Sequence, residues 1–178
     1  QDLLDIMNNS ARKRLEESGI GIGFDYHERL EIARKVGLAA LKFADLQNQR
    51  LTNYIFDPVR FTSFEGKTGP YLLYAVVRIK SILRKAVSAN IVLEDQSIDL
   101  SHSSEQQLLI ALDAFGKSVS IAGVKYSPHI LCDHADCPIL SEEIPKPLQS
   151  SRLSLAKLTL LQLEKALNIL GIEAPERM

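Results

Sequence analysis

The most constraining feature of the sequence is a long run of helical periodicity that begins at a Gly69-Pro70 step. Thr68 suits the N-cap of a helix, and proline is well tolerated in the first helical turn. Apolar residues then recur at steps of three and four, which predicts one helix with a core-facing side. These positions are Leu72, Ala75, Val76, Ile79, Leu83 and Ala86.

The same helix carries a second stripe with a different character. Its members are Tyr71, Tyr74, Arg78, Ser81 and Lys85. Two phenol rings followed by two cations suit the stacking of bases and the binding of phosphates. The tyrosines would equally fit a half-buried core position with hydrated hydroxyls, which is the commoner environment of aromatic residues at helical spacing. From the residues alone both interpretations stay open.

Helical spacing dominates the rest of the chain, so the predicted fold class is all-α. We expect a helical bundle over residues 67–178, preceded by a small helical connector over residues 1–66 with at most one short strand, at residues 51–56. The other predicted helices lie over residues 2–18, from 25 into the amide-rich stretch 43–50, from 101 or 103 to 115, over 117–124, from 127, and over 153–170.

Several helix ends have local signals. Asp25 is the predicted N-cap of the second helix, with Glu28 completing a capping box. Gly171 is predicted to end the closing helix, whose leucines cover nearly every side and predict a buried helix. The glycines of residues 19–23 predict a linker, because the phosphate-loop pattern is incomplete and no strand precedes it.

Composition narrows the class of protein. The net charge of −1 gives no global basic field, so any nucleic-acid partner must be met by a local patch. The apolar runs look too short to span a bilayer, and two cysteines do not suggest a disulfide framework. We therefore expect a cytoplasmic protein with no membrane partner. Because Gln1 already opens a predicted helix, we expect the chain to be part of something longer.

Four possible zinc ligands cluster at His129, Cys132, His134 and Cys137. Soft and imidazole ligands at short spacing suit tetrahedral zinc. However, four ligands in nine residues leave little chain to wrap an ion, and the Ser-Pro step at residues 127–128 predicts a helix on which they would not converge. We therefore expect no metal site, with zinc as the minor alternative. The sequence shows no nucleophile–base constellation, so we predict no catalytic residue.

Three stretches together resemble arginyl-tRNA synthetase, a class I aminoacyl-tRNA synthetase. They are residues 36–50, the Gly-Pro-Tyr-x-x-Tyr-Ala-x-x-Arg-x-x-Ser-Ile signature of residues 69–82, and the C-terminal residues 170–178. The resemblance implies an all-helical anticodon-binding domain over residues 67–178. It departs from the family at Leu73 and around residues 132–140, where a longer helix is normal, so either the chain has lost several helical turns there or the given sequence omits a segment.

The resemblance also implies a function. An arginyl-tRNA synthetase uses ATP, with magnesium, to join arginine to tRNA(Arg). The two nucleotide-binding signatures of class I enzymes are absent here, so we expect this chain alone to be inactive and to bind no cofactor. The resemblance implies that Tyr74 and Arg78 face the tRNA anticodon arm and that Met178 lies near the anticodon loop.

We add Tyr71 and Lys85 to this predicted tRNA-binding set and expect Lys80 to hold phosphate with Arg78 and Lys85. The expected partner is tRNA(Arg), bound by a monomer. The alternative is a non-catalytic helical module whose same stripe binds a partner protein.

Overall fold

The computed structural model describes residues 2–89, 102–135 and 149–178. In these ranges the chain forms eight helices and no strand, which confirms the predicted all-α class. They are α1 (Asp2–Glu17), α2 (Tyr26–Leu46), α3 (Pro58–Phe61), α4 (Gly69–Ser88), α5 (Ser103–Asp113), α6 (Phe115–Val124), α7 (His129–Ala135) and α8 (Gln149–Ile169). The short strand at residues 51–56 does not form: residues 52–57 have no regular secondary structure.

A single large hydrophobic cluster links the N-terminal helices to the bundle. Helix α2 packs against α1 and α4, and α4 packs against α8. Buried members of the cluster include Leu15 of α1, Val36 of α2, Val76 of α4 and Leu167 of α8. The core therefore continues across residue 66, and the division into a connector (1–66) and a bundle (67–178) stays a prediction.

The predicted cap of α2 is confirmed, but its capping box is not formed. Asp25 Oδ1 accepts a hydrogen bond from the Glu28 N–H at 2.9 Å, which lowers the pKa of the Asp25 carboxyl. The Glu28 carboxylate does not return to the cap. It binds Arg177 instead, 149 residues along the chain.

The start of α5 differs from both predicted caps. His102 occupies the N-cap position, Ser103 is the first helical residue, and Ser101 lies outside the described residues. The His102 N–H donates to the Glu105 carboxylate at 3.1 Å. A glutamate three residues after the cap therefore satisfies the backbone donor.

The closing helix α8 ends at Gly171 as predicted. Gly171 has φ 68°, and the Ile172 N–H donates to the Leu167 carbonyl oxygen at 2.8 Å, which is a Schellman arrangement. The prediction that α8 is buried nearly all round is wrong, because Leu161 is 57% exposed.

Helices α5 and α6 form the apolar run Ser103–Val124, which by length and composition alone could cross a membrane. The apolar runs are therefore longer than the sequence suggested. The run is interrupted at Ala114 and contacts α8, where Gln162 donates to the Leu112 carbonyl oxygen at 2.9 Å. Length and composition are weak evidence for a span, and the absence of a membrane partner stays a prediction.

Candidate nucleic-acid interface

The exposed stripe of α4 is positioned by the cap at its first turn. Thr68 Oγ1 accepts a hydrogen bond from the Tyr71 N–H at 3.2 Å and donates to the Ser63 carbonyl oxygen at 2.6 Å. This bonding confirms the predicted N-cap and ties the start of α4 to the preceding turn. The rotation of α4 about its axis, and with it the direction of Tyr71, is set by this cap and by the buried side.

The predicted tRNA-binding residues of α4 share one side of the helix. At about 100° per residue, Tyr71, Tyr74, Arg78 and Lys85 fall within an arc of roughly 60°. Tyr71 and Tyr74 are 37% and 39% exposed, Arg78 is partly buried and Lys85 is exposed. The structure therefore brings these four residues to a common, accessible surface, which we call the tyrosine stripe.

Tyr74 combines an anchored ring with an accessible surface. Its ring centroid lies 6.4 Å from that of Phe64 at an interplanar angle of 59°, and Phe64 packs against the main hydrophobic cluster. Tyr74 therefore has the half-buried environment that one of the two interpretations of the sequence predicted. It leaves more than a third of the residue exposed, so burial and stacking on a base are compatible.

Lys80 does not join the tyrosine stripe, so its predicted role in holding phosphate is wrong. Nine residues separate it from Tyr71, which places it about 180° around the helix. Its ammonium lies 2.8 Å from Glu164 and 2.7 Å from Glu176, and its side chain is only 13% exposed. Burial alone would lower the pKa of Lys80, but the hydrogen bonds to Glu164 and Glu176 outweigh burial and raise it.

The C-terminal tail, residues 171–178, is held by cations of α2 and α4. On α2, Lys35 lies 2.5 Å from Glu173, and Lys42 donates to the Gly171 carbonyl oxygen. On α4, Lys80 pairs with Glu176, and Arg84 donates to the Glu176 carbonyl oxygen at 3.1 Å. None of these contacts was predicted from the sequence.

The last residues of the tail reach the start of α2. Arg177 makes a bidentate pair with Glu28 at 2.6 and 2.8 Å, and its guanidinium lies 4.6 Å from the centre of the Phe24 ring. Met178 is partly buried and packs against the main hydrophobic cluster. Met178 therefore has a defined position on the bundle, and contacts within the chain are enough to hold it there.

The candidate zinc ligands lie on α7, except Cys137, which is outside the described residues. Cys132 is buried, and burial raises the pKa of its thiol to about 12, which disfavours the thiolate that zinc requires. Burial lowers the pKa of His134, whose ring lies 5.4 Å from that of Phe115. Among the described residues no three candidate ligands converge on one point.

Known proteins are similar in sequence to this chain over nearly its whole length. The chain is similar to the arginine–tRNA ligase of Maricaulis maris (47% identity, 99% of this chain, 32% of that protein). The ligase of Alkaliphilus oremlandii is 43% identical over all of this chain and 32% of its own length. The chain therefore spans about a third of the length of the curated relatives that it matches.

Solved structures show the same similarity. The arginyl-tRNA synthetase of Thermus thermophilus superimposes with a TM-score of 0.82 at 31% identity, over 99% of this chain and 32% of that chain. The synthetase from Plasmodium falciparum superimposes with a TM-score of 0.83 at 22% identity, over 99% of this chain and 33% of that chain, a likeness of fold.

The relatives also bear on the predicted shortening around residues 132–140. The alignment with the Alkaliphilus protein runs over 192 positions, 14 more than the 178 residues of this chain. That relative therefore contains at least 14 residues that have no counterpart here. Their position at the 132–140 junction stays a prediction.

The family model that matches the chain covers the tyrosine stripe except Tyr71. Its description is the DALR anticodon binding domain, and it matches residues 72–178, more than half of the chain. The match begins one residue after Tyr71 and ends at Met178. The chain therefore belongs to the DALR anticodon binding domain family.

Proposed function

We propose that this chain is the tRNA-binding part of an arginine–tRNA ligase and that the tyrosine stripe faces the anticodon arm of tRNA(Arg). The observation that carries the proposal is that Tyr71, Tyr74, the partly buried Arg78 and Lys85 share one accessible side of α4 in an anticodon-binding fold. Met178, at the end of the tail, lies near the anticodon loop in this proposal.

The chemistry of the stripe suits unpaired bases better than a duplex. Anticodon bases unstack and lie against the exposed faces of Tyr71 and Tyr74, while Arg78 and Lys85 bind the flanking phosphates. Because the net charge of the chain is −1, attraction to RNA comes from this local surface and not from the whole molecule.

The catalytic part of the proposed enzyme lies in the two thirds of the relatives that this chain does not match. ATP with magnesium, and arginine, bind there, and this chain contributes recognition of tRNA. Residues 1–66 form the connector between the two parts. We further propose that the enzyme is cytoplasmic and monomeric.

Direct titration tests the proposal. The 178-residue chain is titrated with a tRNA(Arg) transcript, and with the same transcript carrying a changed anticodon, over a series of salt concentrations. We expect tighter binding to the natural anticodon and a steep loss of affinity with salt, since each phosphate contact releases counterions. No binding at low salt, or equal binding of both transcripts, would contradict the proposal.

The alternative is a module that binds a protein through the same stripe. Outside the stripe, Leu51 is fully exposed and Ile55 is 89% exposed, which favours a protein contact at residues 51–59 rather than at the stripe itself. A protein contact of that kind depends weakly on salt, whereas RNA binding depends on it strongly. The salt series therefore separates the two. Arginine-dependent ATP–pyrophosphate exchange by the chain alone would show instead that it is catalytic.

A further inference from the structure

We propose that Lys80 is a positioning residue for RNA binding: it holds the C-terminal tail, and so Met178, in place through Glu176. This inference rests on the proposed function, because the tail is argued to complete the surface that receives the anticodon loop. Lys80 itself does not contact RNA in this proposal.

Lys80 lies on the side of α4 away from the tyrosine stripe. It lies among the buried residues of α4, on the side that packs against α8, and its ammonium is bound by two carboxylates from two different segments. Glu164 belongs to α8 and Glu176 to the tail. The ammonium therefore joins three parts of the chain and has little surface left for a phosphate.

The ion pair between Lys80 and Glu176 lies close to the end of the tail. Glu176 lies two residues before Met178, and its backbone oxygen also accepts a hydrogen bond from Arg84. Helix α4 thus binds the side chain and the main chain of the same tail residue. Because α4 also carries the tyrosine stripe on its other side, the tail is fixed relative to that stripe.

Lys80 is the least exposed of the three cations whose ion pairs with carboxylates hold the tail. The side chain of Lys80 is 13% exposed, against 17% for Lys35 and 61% for Arg177. Exposed ion pairs are screened and contribute little, whereas a cation shielded from water interacts more strongly with its partner. Lys80 is also held from the bundle by Glu164, so its ammonium is fixed in place even though the Glu176 side chain is 80% exposed.

The two methionines of the sequence provide a direct probe of the tail. Met7 is fully buried against Phe61, while Met178 is the last residue of the tail. Labelling the methionine methyl groups with carbon-13 gives one signal for each. We expect Lys80→Gln to move and narrow the Met178 signal toward that of a free methionine and to leave the Met7 signal unchanged. The matched control is Lys165→Gln, an exposed lysine of α8.

The consequence for RNA is measured on the same variants. If the tail is docked only part of the time, the apparent affinity for tRNA(Arg) is the full affinity multiplied by the docked fraction, and we expect a loss of roughly threefold to tenfold. The loss should vanish when Lys80→Gln is made in a chain that already carries Glu176→Gln, because both changes release the same contact. Glu176→Gln alone leaves the pair with Glu164 intact and should reproduce the Met178 shift.

Three outcomes would overturn the proposal. Lys80→Gln could lower RNA affinity with the Met178 signal unchanged, as a direct phosphate contact would. The Met178 signal could move without any loss of affinity. The effects of Lys80→Gln and Glu176→Gln on affinity could simply add. If the unmodified chain binds no tRNA, the proposed function fails, and the methyl signals still decide whether Lys80 holds the tail.

Discussion

Gly69 lies directly against the backbone of Ala39, at the point where α4 begins on the surface of α2. A methyl group at residue 69 would overlap the Ala39 carbonyl oxygen and lie 3.1 Å from Cβ of Phe43. The first turn of α4 can therefore approach α2 this closely only because residue 69 has no side chain. This contact, together with the Thr68 cap, places the tyrosine stripe relative to α2.

Gly69→Ala is expected to destabilise the fold. The overlap with the α2 backbone must be relieved by moving one of the two helices, and overpacking of this kind costs about 1–3 kcal/mol. Urea unfolding of the variant, followed by circular dichroism at 222 nm, measures the change in the free energy of unfolding.

The matched control is Gly123→Ala in α6, where a methyl group would meet no atom within 4 Å. Since alanine is the better helix former, this variant should be unchanged or up to about 1 kcal/mol more stable. Equal stability of the Gly69→Ala variant and the unmodified chain would contradict the close contact between α4 and α2.

Tyr74→Ala is expected to weaken binding of tRNA(Arg) by about tenfold or more. Stacking of a base on an aromatic ring contributes about 1–3 kcal/mol, and 1.4 kcal/mol corresponds to tenfold. Tyr74→Phe keeps the ring and should keep most of the affinity. Fluorescence anisotropy with a labelled anticodon stem-loop measures all three proteins.

Tyr126→Ala is a control for the loss of an exposed aromatic ring elsewhere, because Tyr126 is 76% exposed and follows α6. It should bind RNA as the unmodified chain does. Unchanged affinity of Tyr74→Ala would remove Tyr74 from the proposed interface, whatever the behaviour of Tyr126.

The starts of α2 and α4 and the end of α8 were predictable because their signals are local, whereas the start of α5 was not. Thr68 with Pro70, Asp25 and Gly171 each act on backbone groups within a few residues, so the sequence around them suffices. The all-α class followed from periodicity in the same way. Periodicity did not predict that Leu161 is exposed, because apolar spacing does not reveal which side of a helix lacks a neighbour.

The contacts of the tail were not predictable, because they join residues far apart in sequence. Glu176 pairs with Lys80, 96 residues earlier, and Arg177 pairs with Glu28, 149 residues earlier. Periodicity carries no information about such pairs. The position of Lys80 on α4 could have been predicted, however. Its spacing from Tyr71 places it on the apolar side of the helix, although its charge had suggested that it binds phosphate.

Arg152→Met is expected to destabilise the fold by up to about 3 kcal/mol, because it leaves the Glu105 carboxylate without its cation in a shielded place. Arg152 of α8 and Glu105 of α5 are 15% and 10% exposed. Burial alone would raise the pKa of Glu105, but the His102 N–H and Arg152 outweigh it and lower the pKa.

Arg34→Met is the control for removing an arginine from an ion pair on the surface. Arg34 and Glu31 are both about half exposed, with side-chain exposures of 51% and 52%, and such pairs contribute less than about 1 kcal/mol. Urea unfolding compares the two variants. An equal effect of both would mean that the pair between α5 and α8 is no better shielded than a surface pair.

Acid should release the tail before it unfolds the chain. The hydrogen bond from Lys80 lowers the pKa of Glu176 below its usual 4.5, so this contact stabilises the docked tail fully above pH 4.5 and is lost as the pH falls through the lowered value. In a titration of the carbon-13 methyl signals, Met178 should keep its position at pH 5 and move only at pH values below 4.5, with Met7 still unchanged. In Lys80→Gln the Met178 signal should already be shifted at pH 5, since the pair is absent. A Met178 signal that moves only together with Met7 would mean that acid unfolds the whole chain and that Glu176 has no separate part in holding the tail.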